Sequence, residues 1–466
     1  MSFTYVDLFA GIGGFHAALG ALGGQCVYAS EIDPHAAKIY QRNWGIKPEG
    51  DITLAANDSV MEVPEHDVLV GGFPCQPFSK SGKQLGMEES RGTLFWNIAK
   101  IIEVRKPKLV LLENVRNIAG PRHAHEWEVI IRTLRTLGYR VSSVPLVVTP
   151  HRISPMHGGR PQSRDRVLIA ATLDSGQKNH LAIEPESLDL SHAYENWNIQ
   201  KWNLKTHLPL ETSMTKSEKD KLKLTDKEIQ WIEAWNEFVE LIIGKGGHSE
   251  IPGFPIWADD FVHIDDLKIP KATPEWKANF LQKNAEFYTK YKKDLDKWLK
   301  KWNNLSDFPP SRRKLEWQAQ DSKNLWSTIM HFRPSGIRAK KATYVPALVA
   351  ITQTSILGNQ KRRLSVREAA RLQGFPDWFD FMDQPDSLAY KQLGNAVNVS
   401  VIYNVIKAQV IRDLDLLKDS PKLTKSIMSA PNNPDEVLKK QSKLFGVEGS
   451  KNDTQKAIKK QALRKI

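Results

Sequence analysis

The first 174 residues alternate short apolar runs with stretches of helical pattern, and this alternation limits the chain to a few fold classes. The apolar runs lie at residues 5–9, 26–30, 67–70, 108–112 and 166–171. Each has the length of a buried strand, and helical signals fill intervals between them. Strands that alternate with helices build a mostly parallel sheet that is covered on both faces. The sequence therefore predicts an α/β, doubly wound sheet, with residues 166–171 as an antiparallel strand near its edge.

A cysteine framed by prolines follows the third run, in the segment Gly71-Gly72-Phe73-Pro74-Cys75-Gln76-Pro77. The two glycines let the backbone lie close to a ligand, and the prolines make the loop stiff. Open α/β sheets bind their ligands at the carboxyl ends of their strands, which is where this loop begins. Two interpretations follow: Cys75 is either a positioned nucleophile or a small buried side chain in a turn.

The first strand leads into a glycine-rich turn, Ala10-Gly11-Ile12-Gly13-Gly14-Phe15, that opens a helix. The G-x-G spacing fits part of a dinucleotide-binding motif, but His16 takes the place of the third glycine. Glu31 ends the second strand, where an acidic side chain can bind a ribose hydroxyl. Asp51 ends the next segment, where it can reach an adenine amine. These residues predict a cofactor with an adenosyl group, and the alternative is a tight turn beside a solvated acid.

Polar side chains also end the fourth run and precede the fifth. Glu113 follows buried leucines, and a carboxylate in apolar surroundings has either a partner or a raised pKa, so Glu113 is a candidate acid. Strand alternation places Arg164 and Arg166 on one face, where they would fix a carboxylate or a polar base edge. The alternative for Glu113 is a helix-capping pair with Asn114. The alternative for Arg164 and Arg166 is an edge strand that charged side chains protect from pairing with other strands.

The strand–helix rhythm stops near Asp174, and residues 175–355 gain tryptophan, lysine and asparagine. A capping box at residues 225–228 and the apolar spacing after it predict one long helix. A second long helix begins near Thr273, and the aromatic stripe on one of its faces is typical of packing. The basic segment 331–341 is predicted to be loop-like, and its Arg333 and Arg338 are candidates for contacts to phosphates or base edges.

The rhythm returns at residues 356–415, so the sequence predicts one sheet domain in two parts, 1–174 and 356–415, that flank the region 175–355. Residues 416–466 carry 12 basic and 5 acidic side chains, and their composition predicts a basic, weakly ordered tail. More than half of the formal net charge of +13 lies in this tail. The charge is therefore weak evidence that the folded body binds a polyanion.

Composition excludes several classes of protein. The chain has only two cysteines, Cys26 and Cys75, so we expect a reducing compartment, no disulfide framework and no cysteine-based zinc site. No metal ion is expected. No apolar run approaches the ~18 residues of a membrane helix. Met1-Ser2-Phe3 leads directly into a strand pattern, so no signal peptide is expected.

Six segments together resemble the motifs of the DNA cytosine-C5 methyltransferases. They are residues 7–15, Pro74-Cys75-Gln76, Glu113-Asn114-Val115, Gln162-x-Arg164-x-Arg166, residues 367–376 and Gly394-Asn395-Ala396-Val397. Each motif alone is weak evidence for the family, whereas six motifs in the family's order and spacing are highly specific. The resemblance covers about residues 1–173 and 360–410. It implies a Rossmann-like fold that depends on S-adenosylmethionine, with an inserted variable target-recognition domain, and it does not extend to the two long helices or the tail.

The resemblance implies a role for each candidate residue. S-adenosylmethionine would be held by Phe9, Gly11, Gly13, Glu31, Asp51, Pro74 and Asn395, with Glu31 at the ribose and Asp51 at the adenine. Cys75 as a thiolate would attack C6 of a flipped cytosine, and Glu113 would hold N3 while C5 takes the methyl group. Arg164 and Arg166 would orient the base and Glu113. Arg333 and Arg338 would contact the DNA.

The implied partners are double-stranded DNA and a restriction endonuclease that acts on the same site, and we expect a monomer in the bacterial cytoplasm. Three other interpretations fit less well. A transfer-RNA methyltransferase of the same fold would carry Cys-Phe-Thr in the target region, which has no cysteine. A nucleotide-dependent oxidoreductase would need the third glycine and would leave the Pro-Cys-Gln loop unexplained. A catalytically silent DNA-binding regulator would not need intact Cys75, Glu113 and Arg166.

Overall fold

The protein is described by a computed structural model that covers residues 3–74, 93–176, 181, 183–208, 214–348 and 354–441. Within these ranges the chain forms two compact units. The first contains the described parts of Met1–Trp202, Ala347–Ala350 and Val366–Ile466, and the second those of Asn203–Pro346 and Ile351–Ser365.

The strands are β1 (Phe3–Leu8), β2 (Gly24–Ser30), β3 (Val68–Gly72), β4 (Leu109–Val115), β5 (Tyr139–Arg140), β6 (Leu146–Val148), β7 (Gln162–Ser163), β8 (Arg166–Leu173), β9 (Ile256–Trp257), β10 (Lys314–Gln318), β11 (Thr328–Arg333), β12 (Gly336–Lys341), β13 (Val345–Pro346), β14 (Ile356–Leu357) and β15 (Arg362–Arg363). The α-helices are α1 (Gly14–Ala21), α2 (Pro34–Trp44), α3 (Ile52–Ala55), α4 (Leu94–Arg105), α5 (Ala124–Thr136), α6 (Ser191–Tyr194), α7 (Leu204–His207), α8 (Lys216–Leu222), α9 (Asp226–Gly246), α10 (Glu275–Lys301), α11 (Val366–Gln373), α12 (Asp386–Asn395), α13 (Val399–Arg412), α14 (Pro421–Ser429) and α15 (Asp435–Gln441). None of these helices combines the length and the apolar character that crossing a membrane requires.

A seven-stranded sheet forms the centre of the first unit. Its order is β2-β1-β3-β4-β8-β5, and β6 also pairs with β8. The pairs β1–β2, β1–β3 and β3–β4 are parallel, whereas β8 is antiparallel to β4, β5 and β6. Six strands therefore run in one direction and β8 runs against them, which confirms the predicted mostly parallel sheet and its antiparallel strand.

Helices cover both faces of this sheet because its strands are apolar on both sides. Along β3, Val68 and Val70 pack into one core with α1 and α13, while Leu69 packs into a second core with α4 and α5. A strand that is buried on both faces is an uninterrupted apolar run in the sequence. This is why the short apolar runs predict the doubly wound sheet correctly.

The second unit has a six-stranded sheet in the order β15-β14-β11-β12-β10-β9, together with the long helices α9 and α10. The capping box that the sequence predicts is present, because Thr225 and Glu228 each bind the other's backbone N–H at the start of α9. The aromatic stripe of α10 packs as predicted, since Phe287, Tyr291 and Trp298 are buried. Trp276, at the start of the same helix, is exposed.

The basic segment 331–341 is not a loop, and that prediction is wrong. It lies in the antiparallel hairpin of β11 and β12, where Arg333 pairs with Gly336 across a two-residue turn. The side chains of Met330, Phe332, Ile337 and Ala339 lie in the core. Basic side chains alternate with these apolar ones, and this high local charge hides the strand pattern in the sequence.

Two of the domain boundaries expected from the sequence differ from those of the compact units. The described residues of the range 175–202 belong with the first unit, because Leu188, Leu190 and Ala193 lie in its core. Residues 356–365 belong with the second unit, because β14 pairs with β11 and β15 pairs with β14. The sequence pattern changes at residues 174 and 355, whereas the packing changes after Trp202 and after Ser365.

Part of the expected weakly ordered tail is helical, which corrects that expectation for residues 421–441. Leu423 and Ile427 on α14 and Leu438 on α15 are buried in the core of the first unit. The ammonium of Lys407 on α13 donates to the carbonyls of Ala430 and Pro431, at 2.8 and 3.1 Å. Buried apolar side chains on both helices thus anchor a segment whose lysines suggest exposure to solvent.

We expect truncation after Asp419 to lower the free energy of unfolding sharply and truncation after Gln441 to leave it nearly unchanged. The shorter chain loses three buried aliphatic side chains, on the order of 5 kcal/mol in total. It also leaves Lys407 without its carbonyl partners. Urea unfolding of both truncations measures the difference. Equal midpoints would contradict the packing of α14 and α15.

Candidate functional site

A cavity of about 630 Å³ opens at the carboxyl ends of β1 to β4 in the first unit. These are the strands on either side of the point where the strand order reverses, which is where open α/β sheets bind their ligands. Nine of the predicted site residues line it: Phe9, Gly11, Glu31, Asp51, Pro74, Glu113, Arg164, Arg166 and Asn395. The sheet thus brings together residues that lie far apart in the sequence.

The glycine-rich turn forms one wall of the cavity. Phe9 and Gly11 both adopt φ of 54°, a left-handed conformation that favours glycine and strains Phe9. A Cβ atom placed on Gly11 would meet no protein atom within 4 Å, so the space above the turn is open. Gly13 does not line the cavity: a Cβ there would overlap the indole of Trp44. Its participation in cofactor binding stays a prediction.

Two acidic side chains also line the cavity. Glu31 accepts hydrogen bonds from the backbone N–H groups of Gly11 at 2.7 Å and Asp33 at 2.8 Å. Its carboxylate therefore fixes the glycine turn to the end of β2 in addition to lining the cavity. Asp51 caps α3 by accepting from the N–H of Thr53 at 2.9 Å. Both acids keep further acceptor capacity, since a carboxylate has about four lone-pair directions.

Glu113 lies at the end of β4 and pairs with Arg166 on β8, with 2.8 Å between Oε1 and Nε. The antiparallel register sets Arg166 opposite Val115, so it is the diagonal neighbour of Glu113 on the same face. Burial raises the pKa of the Glu113 carboxyl, and the charges of Arg166 and Arg164 act in the opposite direction. A buried acid beside a cation is therefore present at the cavity wall, as the sequence predicts.

Arg164 is almost completely buried and binds backbone rather than a carboxylate. Its Nη1 donates to the carbonyl of Leu348, and its Nη2 donates to the carbonyls of Gly394 and Ala396 at 2.8 and 3.0 Å. Burial and the charge of Arg166 lower its pKa to about 9, so the guanidinium stays charged at neutral pH. Arg164 thus ties the end of β7 to the segment that carries Asn395.

The structure also shows site residues that sequence reasoning missed. Lys391 and Gln392 line the cavity from α12, two turns or less before Asn395, and Phe73 and Leu94 add apolar surface. Asn114 donates from Nδ2 to the carbonyl of Phe73 at 2.9 Å. This bond fixes the backbone that leads to Cys75, which itself lies outside the described residues. The only signal in the sequence was the position of Asn114 directly after Glu113.

Arg333 and Arg338 lie in the second unit, on β11 and β12. Arg338 is held by Glu316 on β10, with 2.7 Å from Nε and 2.6 Å from Nη2 to the same carboxylate oxygen. Both arginines are half-buried. Their role in binding DNA stays a prediction.

The family of this chain follows from its similarity to known proteins. The family model for the C-5 cytosine-specific DNA methylases matches residues 3–410. The chain is 44% identical to the Type II methyltransferase M.AluI of Cellulosimicrobium cellulans, over 90% of this chain and 94% of that protein. It is 30% identical to the Type II methyltransferase M.HhaI of Haemophilus parahaemolyticus, over 86% and 93%. It is 31% identical to the Type II methyltransferase M.BanI of Aneurinibacillus aneurinilyticus, over 87% and 95%.

Proposed function

Because the chain belongs to the C-5 cytosine-specific DNA methylase family and is therefore a DNA (cytosine-5-)-methyltransferase, we propose that its cavity binds S-adenosylmethionine beside a flipped cytosine. The observation that supports this most is that six of the seven predicted cofactor residues line one cavity together with Glu113, Arg164 and Arg166. The relatives named above are Type II methyltransferases. We infer that methylation by this chain protects DNA from a restriction endonuclease that acts on the same site.

The cavity suits a cofactor with an adenosyl group. Its volume lies within the roughly 300–1,000 Å³ that ligand pockets occupy. Glu31 and Asp51 offer carboxylate oxygens to ribose hydroxyls and an adenine amine, and Phe9 and Pro74 offer apolar surface. The open space over Gly11 lets the backbone approach a ligand. When bound, S-adenosylmethionine supplies an electrophilic methyl group.

Cys75 and Glu113 would act on the cytosine ring as nucleophile and as general acid, respectively. The Cys75 thiolate forms a bond to C6, and the π electrons of the C5–C6 bond move towards C5. Neutral Glu113 donates its proton to N3, which balances the negative charge that the attack places on the ring. Once C5 carries the methyl group, the C5 proton would be lost to water, and the electron pair of that C–H bond would re-form the C5–C6 double bond. The Sγ–C6 bond would break in the same step, so that its electron pair returns to Cys75 as the thiolate, and N3 would give its proton back to Glu113.

Arg166 would position Glu113 through the hydrogen bond from its Nε to Oε1, and Arg164 would position Asn395 through the backbone of the segment around it. Asn114 would position the cysteine loop. The described parts of residues 175–355 belong to the proposed target-recognition region, in which Arg333 and Arg338 would contact the DNA. We propose that the enzyme acts on double-stranded DNA as a monomer.

Bisulfite sequencing of DNA from cells that express the chain tests the proposed function. We expect 5-methylcytosine in one sequence context, at levels well above those of cells with the empty vector. The same data report the recognised sequence. Absence of new 5-methylcytosine, with the folded protein present in the cells, would contradict the proposal.

Replacing Glu31 with alanine is expected to weaken S-adenosylmethionine binding by roughly 1.5–3 kcal/mol for each charge-assisted hydrogen bond lost. Glu31→Ala would lose affinity in two ways, because Glu31 lines the cavity and also holds the N–H of Gly11. Glu31→Gln distinguishes the two contributions, since its amide oxygen can still accept from one backbone N–H but its side chain offers no charge to the cofactor. Calorimetric titration with S-adenosylmethionine measures both variants, and affinity equal to that of the unaltered protein would refute the assignment.

Truncation after Gln441 removes 7 basic and 2 acidic side chains and none of the buried ones described above. We expect lower affinity for all DNA sequences alike and a weaker dependence of binding on salt, because fewer phosphates are neutralised. Equilibrium binding at several salt concentrations measures this. A changed methylation context in bisulfite data would show that the tail takes part in sequence recognition.

A further inference from the structure

Three cations share one face of the second unit's sheet. Arg338 and Lys340 on β12 alternate with the buried Ile337 and Ala339, so both point away from the core. Arg333 on β11 lies opposite Gly336, which is on the same face of β12 as Arg338 and Lys340. The only carboxylate bound to this group, among the described residues, is that of Glu316. We name Arg333, Arg338 and Lys340 the basic strip.

The positive charges of the basic strip are close enough to repel one another. Burial, followed by the charges of Arg338 and Arg333, lowers the pKa of Lys340. Burial and the same three cations lower the pKa of His331 on β11 to about 3, so this histidine stays neutral. Three positive charges against one negative charge leave an excess that an anionic ligand would relieve.

The three cations differ in how they are held. Glu316 lies directly opposite Arg338 in the parallel register of β10 and β12, and its other oxygen accepts from the hydroxyl of Ser335 at 3.1 Å. Glu316 is largely buried and holds one edge of the guanidinium through Nε and Nη2. Among the described residues, no partner binds Nη1 of Arg338 or the charged ends of Arg333 and Lys340.

This difference separates two kinds of contact with DNA. A guanidinium fixed along its Nε edge presents its two terminal nitrogens in one direction, and two parallel N–H groups match O6 and N7 of guanine. A cation without a fixed orientation suits a phosphate, which accepts from many directions. On the basis of the proposed function, we propose that Arg338, positioned by Glu316, reads a guanine in the target sequence, while Arg333 and Lys340 bind the phosphate backbone.

The test compares variants in methylation of a DNA library that contains every cytosine context. We expect Arg338→Lys, which keeps the charge, to lose preference at one base position by about 5- to 150-fold. Glu316→Gln should relax preference at the same position by a smaller factor. We expect Lys340→Ala and Arg333→Ala to weaken binding of all sequences alike and to reduce the salt slope by about 1 each.

Lys341→Ala is the matched control, because Lys341 is the next residue on β12, points to the other face and is paired with Asp321 at 2.7 Å. It should keep both sequence preference and salt slope. Thermal unfolding of each variant checks that the sheet is intact. Uniform loss in Arg338→Lys, unchanged preference in Glu316→Gln, or an unchanged salt slope in Lys340→Ala would overturn the assignment. Failure of the unaltered protein to methylate any context would instead overturn the proposed function.

Discussion

Replacing Cys75 with serine is expected to abolish methyl transfer while leaving S-adenosylmethionine binding nearly intact. A serine hydroxyl is not ionised at neutral pH and is a far weaker nucleophile than a thiolate, so the bond to C6 does not form. The cavity-lining residues that we propose bind the cofactor, such as Pro74 and Glu31, are unchanged in this variant. Methylation assays with labelled S-adenosylmethionine, together with calorimetry, measure the two properties separately.

Cys26 offers a matched control for that substitution. It is buried, its thiol donates to the carbonyl of Tyr28 at 3.3 Å, and burial raises its pKa to about 12. Such a thiol is almost entirely protonated at neutral pH and is not a nucleophile. Cys26→Ser keeps a donor for the same carbonyl and should retain methyl transfer. Methyl transfer at the normal rate in Cys75→Ser, or its loss in Cys26→Ser alone, would refute Cys75 as the nucleophile.

Glu113→Gln is expected to lower the rate of methyl transfer by about 10²- to 10⁴-fold, the usual contribution of a positioned general acid. The amide keeps the shape of the side chain but cannot give a proton to N3. Because the neutral acid is the active form, the activity of the unaltered protein should fall as pH rises through the pKa of Glu113. That alkaline loss should be missing from the residual activity of Glu113→Gln.

Arg166 gives this pH dependence a direction that can be tested. Its charge opposes the effect of burial on Glu113, so removing the charge in Arg166→Met should raise the pKa of Glu113 further. The neutral acid then persists to higher pH, and the alkaline loss of activity should move to higher pH. Initial rates over a pH series measure the shift.

Arg116→Met is the control for Arg166→Met. Arg116 forms an exposed ion pair with Asp165 at 2.9 Å, near the same strand but not in the cavity lining. Exposed pairs of this kind contribute at most about 1 kcal/mol. Its pH profile should match that of the unaltered protein. A shift to lower pH in Arg166→Met, or the same shift in both variants, would remove Glu113 as the group that titrates.

Local pattern in the sequence determined the parts of this protein that repeat over a few residues. Apolar runs of four to six residues predicted the strands, because a strand buried on both faces needs them. Parallel strands bring their carboxyl ends to one edge, so Glu31 and Glu113, each of which the sequence places at the end of a strand, line one cavity although 82 positions separate them in the numbering. The capping box before α9 was equally local, since its two residues bind each other's backbone.

Only the tertiary structure decided the partners of side chains that reach across the fold. Arg164 was predicted to face a carboxylate or a base, yet its donors bind carbonyls near residue 395, which become neighbours only when the returning segment packs on the sheet. The hairpin of β11 and β12 and the helix α14 were hidden by their basic side chains. Charged side chains in a sequence indicate which positions can be exposed to solvent, whereas burial of a few apolar side chains decides whether a segment folds onto the core. Those partners belong to other parts of the chain, so only the packed structure reveals them.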